Sequence, residues 1–154
     1  MRRYLVAAAL LALLLPALAA AKGPVSASIS GPGLASPLRV SGDGEGPETA
    51  LGTLAMSSGF FAQMFGQTPD PTFTTRPKRA LGPRYKVVYV VPGGNDVESR
   101  VVQWIYPYAK PVAVTHMRAN QPFWETERTH GGWYRATAEL KRMLVRAGLS
   151  RTSP

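Results

Sequence analysis

The stretch that decides the fold is RYKVVYVVPGGNDVESRVVQWIY, residues 84–106. Large apolar side chains occupy every second position of its first half, at Tyr85, Val87, Tyr89 and Val91. This alternation is typical of a β-strand with one buried face. The glycine-rich segment 92–96 predicts a turn, and residues 97–106 predict the returning strand. The stretch therefore predicts a long β-hairpin at the centre of a mostly antiparallel sheet.

Further strands are predicted on both sides of this hairpin. Residues 25–30 and 37–41 are two short alternating runs separated by Gly31-Pro32-Gly33, which favours a small hairpin. The alternative for this region is a disordered linker that follows the leader. Residues 112–116 predict a further strand after the central hairpin.

Two helices are predicted from apolar residues at three- and four-residue spacing. The first begins near Gly46-Pro47-Glu48, continues from Leu51 to Phe65 and ends at Gly66. Because Ser57-Ser58-Gly59 weakens its middle, two shorter helices are the alternative. The second runs from Trp133 to Ala147, followed by a glycine cap with Leu149 packing back on the last turn.

These elements together predict the α+β class. We expect a small, mostly antiparallel sheet with one central and one C-terminal helix, preceded by a signal-peptide helix. Residues 22–150 form one small domain in this interpretation, because the length suits a single core. Residues 151–154 are predicted to be a frayed tail.

The first 21 residues have the pattern of a secretory signal peptide. Two arginines follow Met1, residues 5–18 are almost wholly apolar, and Ala19-Ala20-Ala21 offers a cleavage site before Lys22. This order predicts a secreted or extracytoplasmic protein. The alternative is an uncleaved leader that stays as a membrane anchor, which would then be the chain's only membrane contact.

Composition excludes several classes of protein. The chain of 154 residues has no cysteine, which excludes a disulfide framework, a thiolate nucleophile and cysteine-ligated metals. Residues 22–70 hold two basic and four acidic side chains, whereas residues 71–154 hold fourteen basic and five acidic ones. A basic exported protein is attracted to anionic surfaces. Nucleic acid is not an expected partner outside the cell.

A cluster of titratable residues offers one route to chemistry. His116, Glu125, Glu127 and His130 lie within fifteen residues of one another. Histidine and carboxylates can ligate zinc, and a carboxylate near Trp124 can act as a general acid. No HExxH motif is present. The sequence therefore assigns no catalytic residue, metal ligand or cofactor, and a small secreted hydrolase or metal-binding protein remains the alternative function.

Aromatic residues give the stronger candidate site. The candidates for binding are Trp104, Tyr106, Tyr108, Trp124 and Trp133, which fall within a basic part of the chain. Aromatic faces beside polar groups hold sugars and anchor protein interfaces. The competing explanation is that these large side chains simply fill the core of a cysteine-free domain.

Four segments also resemble a known group of proteins. They are residues 29–34 (ISGPGL), 81–85 (LGPRY), 105–109 (IYPYA) and 131–134 (GGWY). Together they resemble exported proteins of high-GC Gram-positive bacteria. The resemblance spans most of the chain after the leader and implies an envelope setting. It implies no activity and no functional residue.

The sequence thus predicts an exported, non-enzymatic envelope or extracellular protein. Its expected ligand is a partner protein, a wall glycan or an anionic surface. Gathering of the two histidines and two glutamates in space would favour the hydrolase or metal-binding alternative.

Overall fold

The computed structural model describes residues 23–154. The predicted leader at 1–21 lies outside the described residues. The elements are β1 (Ser26–Ser30), β2 (Leu38–Ser41), α1 (Ala50–Ser57), α2 (Phe60–Phe65), β3 (Tyr85–Pro92), β4 (Glu98–Tyr106), β5 (Val114–Met117), β6 (Pro122–Phe123), β7 (Glu127–Arg128), β8 (Gly132–Arg135) and α3 (Ala138–Arg146).

Six of the strands form one sheet in the order β2-β1-β3-β4-β5-β8, and every neighbouring pair is antiparallel. The two remaining strands, β6 and β7, form a separate two-residue ribbon that the sequence did not predict. The predicted α+β class is confirmed.

The central hairpin forms as its alternation predicts. Tyr85 pairs with Ile105 at one end of the β3–β4 ladder, and Val91 pairs with Ser99 near the other. The turn is closed by Gly93, whose N–H donates to the carbonyl of Val97 at 2.6 Å. The shorter predicted hairpin is also confirmed, since β1 and β2 pair antiparallel. The further strand begins at Val114, two residues later than predicted.

The first predicted helix is broken in two, as the alternative allowed. Thr49 caps α1, because its Oγ1 accepts a hydrogen bond from the N–H of Gly52 at 2.9 Å. Gly59 separates the helices with a left-handed φ of 73°. A Cβ at this position would also collide with the Tyr134 ring. Glycine is therefore required here for its backbone and for its lack of a side chain.

The start of the C-terminal helix was predicted wrongly. Residues 132–135 form β8, which pairs with β5 through partners such as His116 and Trp133. The helix begins only at Ala138. Its end is confirmed: Leu149 N–H donates to Leu144 at 2.9 Å, and Gly148 N–H donates to Val145 at 3.1 Å. These two bonds form a Schellman motif.

The main core lies between the helices and the odd-numbered side chains of the central strands. Tyr89 and Val87 of β3 are fully buried there beside Leu54 of α1 and Leu140 of α3. Within residues 23–154, no helix is long and apolar enough to cross a bilayer.

A polar network runs through this core where α1 gives way to α2. The Tyr89 hydroxyl donates to Gln103 Oε1 at 3.0 Å, and Gln103 Nε2 donates to Gln63 Oε1 at 2.6 Å. Gln103 Nε2 also reaches the Ser58 carbonyl at 3.1 Å, which accepts from Thr115 Oγ1 at 2.7 Å. Burial of Tyr89 raises its pKa well above the ordinary tyrosine value. The network joins the helix break to three strands.

The other face of the sheet is only partly covered. Segment 67–82 crosses one side of it and forms a second, smaller cluster in which Leu81 packs on Tyr106, Val114 and Trp133. The even-numbered side chains of β3 and the first half of β4 lie beyond this cover. We call this whole side of the sheet, opposite the helices, the open face.

Candidate binding site on the open face

The antiparallel register brings four side chains into one row on the open face. Lys86 pairs with Trp104, Trp104 with His116, and His116 with Trp133. Neighbouring strands lie about 4.8 Å apart, so the row spans about 14 Å. Because each residue comes from a different strand, only the folded sheet places them side by side.

A groove of about 510 Å³ lies along this row. We call it the basic groove; its lining residues are Arg84, Lys86, Val102, Trp104, Tyr106, His116, Arg118 and Gln121. Three of them are exposed cations, and no carboxylate is among them. The ion pairs found in residues 23–154 join Asp70 to a histidine and Glu139 to two arginines, all outside the groove. The groove therefore carries uncompensated positive charge.

The Arg84 side chain is held in place by an aromatic ring. Its guanidinium lies over Trp104, with the central carbon 4.1 Å from the ring centroid. Such stacking is favourable and leaves the edge of the guanidinium free to donate hydrogen bonds. The pair therefore presents an ordered fork of donors at the groove.

His116 adds a titratable group to the same groove. Its ring stacks on Trp133 with centroids 4.5 Å apart. Desolvation by this partial burial holds the pKa of His116 below the ordinary histidine value. The side chain is therefore neutral at neutral pH and can gain a charge when an anion lies nearby.

Gln121 forms one wall of the groove and is fixed by the backbone of β4. Its Oε1 accepts from the Val102 N–H at 2.9 Å, and its Nε2 donates to the Val102 carbonyl at 2.7 Å. These two bonds hold the segment after β5 against the side of the groove.

The five predicted aromatic residues do not share one surface. Trp104 is half-buried in the groove, and Tyr106 lies against the buried Trp133 with ring centroids 5.7 Å apart. Tyr108 lies near α3, where its hydroxyl donates to the Ser150 carbonyl at 2.7 Å. Trp124 lies at the β3–β4 turn, where its Nε1 donates to Pro92 at 2.9 Å. Trp104 is thus the predicted aromatic residue best placed to touch a ligand.

The four titratable candidates are separated in the fold. His116 lies in the groove, while Glu125 and Glu127 are exposed around the β6–β7 ribbon. His130 Nε2 lies 2.8 Å from Asp70 Oδ2. Within residues 23–154, no group of three or more histidine, aspartate and glutamate side chains could hold a metal ion.

The contact between His130 and Asp70 does not form a catalytic triad. The same Nε2 that meets Asp70 is also 3.4 Å from Thr72 Oγ1. In a triad the carboxylate and the hydroxyl bind opposite ring nitrogens. Hydrogen bonds from the Thr72 backbone and hydroxyl, with the nearby histidine, hold the pKa of Asp70 below its ordinary value. The arrangement fastens segment 67–82 to the segment before β8.

Sequence reasoning missed the cations of the groove as a site. The available signal was the alternation that predicts β3, in which Arg84 and Lys86 occupy polar positions. Arg118 joins them only because β5 lies beside β4.

Comparison with known proteins adds no relative: no family model, curated protein or solved structure matches the chain.

Proposed function

We propose that this is an exported, non-enzymatic binding protein that holds an acidic polymer of the cell envelope in the basic groove. The observation that carries the proposal is the lining itself. Three exposed cations and a half-buried tryptophan surround about 510 Å³, with no carboxylate among the lining residues.

The groove suits acidic groups attached to a polymer. Arg84, held over Trp104, offers a planar pair of donors that matches an oxyanion, and Lys86 adds a point charge on the neighbouring strand. Trp104 offers an apolar surface for the carbon skeleton between the acidic groups.

A partner protein fits the groove less well than a polymer does. A stable protein interface buries about 800 Å² on each partner around an apolar centre. The groove instead has three charged residues among its eight lining residues, and its apolar contribution is limited to Val102, Trp104 and Tyr106. An acidic wall glycan is therefore the better-supported ligand.

The test measures binding of residues 22–154 to polygalacturonate by isothermal titration calorimetry, with neutral dextran as the uncharged comparison. We expect the double variant Arg84→Gln/Lys86→Gln to lose about tenfold in affinity, which corresponds to about 1.4 kcal/mol. The charge-matched control is Arg128→Gln/Arg151→Gln, since both of these arginines are exposed and outside the groove.

The control should bind almost as tightly as the unaltered protein. Equal losses in the two double variants would show that net charge, and not the groove, attracts the polymer. Failure of the unaltered protein to bind either polygalacturonate or a phosphate-bearing polymer would also overturn the proposal.

A further inference from the structure

A second cationic depression is formed mainly by segment 67–82, which covers part of the open face. We call it the loop cleft; it has a volume of about 500 Å³ and is lined by Phe73, Thr75, Arg76, Pro77, Lys78, Arg79 and Arg135. Four of these seven residues are cations, and none is acidic. We infer that the loop cleft binds a phosphate group and that the polymer held by this protein carries phosphates.

Arg79 supplies the observation that points to a ligand. Its Nη2 donates to the Val112 carbonyl at 3.3 Å, which ties the guanidinium to the segment before β5. Its Nε is buried without a hydrogen-bond partner, and it is the one such side-chain atom within residues 23–154. A buried donor left unpaired is unfavourable. Because Arg79 lines the cleft, an oxyanion bound beside it would supply the acceptor that this N–H lacks.

Two other residues of the cleft, Phe73 and Arg135, are held in place. Phe73 and Trp133 exchange two backbone hydrogen bonds of 2.9 Å and 2.8 Å, which fix the loop to the outer side of β8. Arg135 lies over the Phe73 ring, 5.8 Å from its centroid. Because Arg79 and Arg135 are already placed, less entropy is lost when these two cations take up an anion.

The composition of the cleft favours phosphate over carboxylate. Three of its four cations are arginines, whose planar forks match phosphate oxygens in pairs. A phosphate group carries up to two negative charges and three acceptor oxygens. It can therefore engage several of these cations together, whereas a single carboxylate leaves most of them without a partner. Thr75 adds a hydroxyl donor.

The loop cleft and the basic groove lie on the same side of the sheet. Arg135 of the cleft is two positions from Trp133 on β8, and Trp133 stacks on His116 of the groove. The two depressions are therefore separated by only a few strand spacings, about 10–15 Å. A chain with repeated phosphates can occupy both. This assignment of the polymer rests on the proposed function, whereas binding of one phosphate in the cleft does not.

The test compares two ligands, inorganic phosphate and long-chain polyphosphate, by calorimetry on residues 22–154. Arg76→Gln/Lys78→Gln removes two exposed cations of the cleft, so it should fold normally. Arg79→Lys keeps the positive charge and removes only the planar guanidinium with its paired donors. We expect each to weaken inorganic phosphate binding by about tenfold or more, and Arg128→Gln/Arg151→Gln to leave it nearly unchanged.

The groove variant Arg84→Gln/Lys86→Gln separates the two proposals. It should leave inorganic phosphate binding intact and weaken long-chain polyphosphate by about tenfold. If it does not weaken polyphosphate, the groove has no part in holding the chain and the assignment of the polymer falls, while the phosphate site in the cleft stands.

Three results would overturn the inference that the loop cleft is a phosphate site. One is an equal loss of phosphate affinity in the charge-matched control. Another is polygalacturonate binding as tightly as polyphosphate and being equally weakened by Arg79→Lys, which would make the cleft a general carboxylate site. The last is tighter binding of a single-stranded oligonucleotide than of polyphosphate, which would assign the cleft to nucleic acid.

Discussion

Gln103 lies at the centre of a polar network that the core encloses completely. Its amide bonds to three partners from different elements: the Tyr89 hydroxyl, the Gln63 side chain and the Ser58 carbonyl. Each of these residues is buried. A network of this kind stabilises the fold only while every member has its partner. The network cannot be read from the sequence, because its contacts join residues 14 to 57 positions apart.

Replacing the central residue should therefore be costly. We expect Gln103→Leu to lower the free energy of unfolding by about 3 kcal/mol, because each buried polar group left unpaired costs about 1–3 kcal/mol. The measurement is urea unfolding of residues 22–154. The same substitution at the exposed Gln67 is the control and should change stability by less than about 0.5 kcal/mol. Similar effects at both positions would contradict the structural importance of the network.

His116 should make anion binding depend on pH. Its pKa is lowered in the free protein by desolvation, and a bound anion favours the charged ring. Binding therefore takes up a proton, so affinity should rise as pH falls from about 7 to about 5. The measurement is calorimetry with dextran sulfate, whose own charge does not change over this range.

Two variants test which histidine is responsible. His116→Asn should remove the rise in affinity at low pH. His130→Asn should keep it, because His130 is paired with Asp70 away from the groove. The charged residues that line the groove together with His116 are Arg84, Lys86 and Arg118. An unchanged pH profile in His116→Asn would contradict the assignment.

At the scale of elements, the sequence predicted the strands and helix ends that follow from local alternation or spacing alone. The β3–β4 hairpin follows from period-two alternation, and the end of α3 follows from Gly148 and Leu149. The strand β8 was missed because Trp133 and Tyr134 continue the apolar pattern of α3 backwards. Four residues are too few to distinguish the period of a strand from the period of a helix. These residues form a strand because they pair with the edge of β5 that β4 does not occupy.

The break between α1 and α2 is an element-scale feature that a single substitution can test. Gly59→Ala forces an L-residue into a left-handed backbone and against the Tyr134 ring. The backbone alone costs about 1–2 kcal/mol, so we expect a loss of about 2 kcal/mol or more in thermal or urea unfolding.

Gly94→Ala is the matched control for this substitution. A Cβ at Gly94 would meet no atom within 4 Å, so the change should be nearly neutral. If Gly59→Ala is as well tolerated as the control, the break does not require glycine.

At the scale of the whole molecule, the two faces of the sheet have different roles. The helices cover one face and form the core, while the other face holds the basic groove and the loop cleft. The uneven charge of the chain was visible in the sequence, but its location was not. The groove draws on three neighbouring strands, and the cleft brings Arg79 beside Arg135 from 56 positions away in the printed sequence.

This arrangement predicts that binding of an acidic polymer weakens with salt. Raising the ionic strength from about 0.1 M to about 1 M shortens the screening length from about 10 Å to about 3 Å. We expect polyphosphate affinity to fall by more than about tenfold over this range. The dependence should be shallower in Arg84→Gln/Lys86→Gln, which has fewer charges to screen. Affinity that is independent of salt would show that charge does not drive the association.

The backbone contact between Phe73 and Trp133 has a consequence for how copies of the chain meet. The outer strands of the sheet are β2 and β8, each four residues long, and Phe73 already occupies the outward hydrogen bonds of Trp133. Exposed strand edges are where sheets of separate molecules join and aggregate. Within residues 23–154, the six-stranded sheet therefore offers a second copy no long edge to pair with, which protects the protein from polymerising at high concentration.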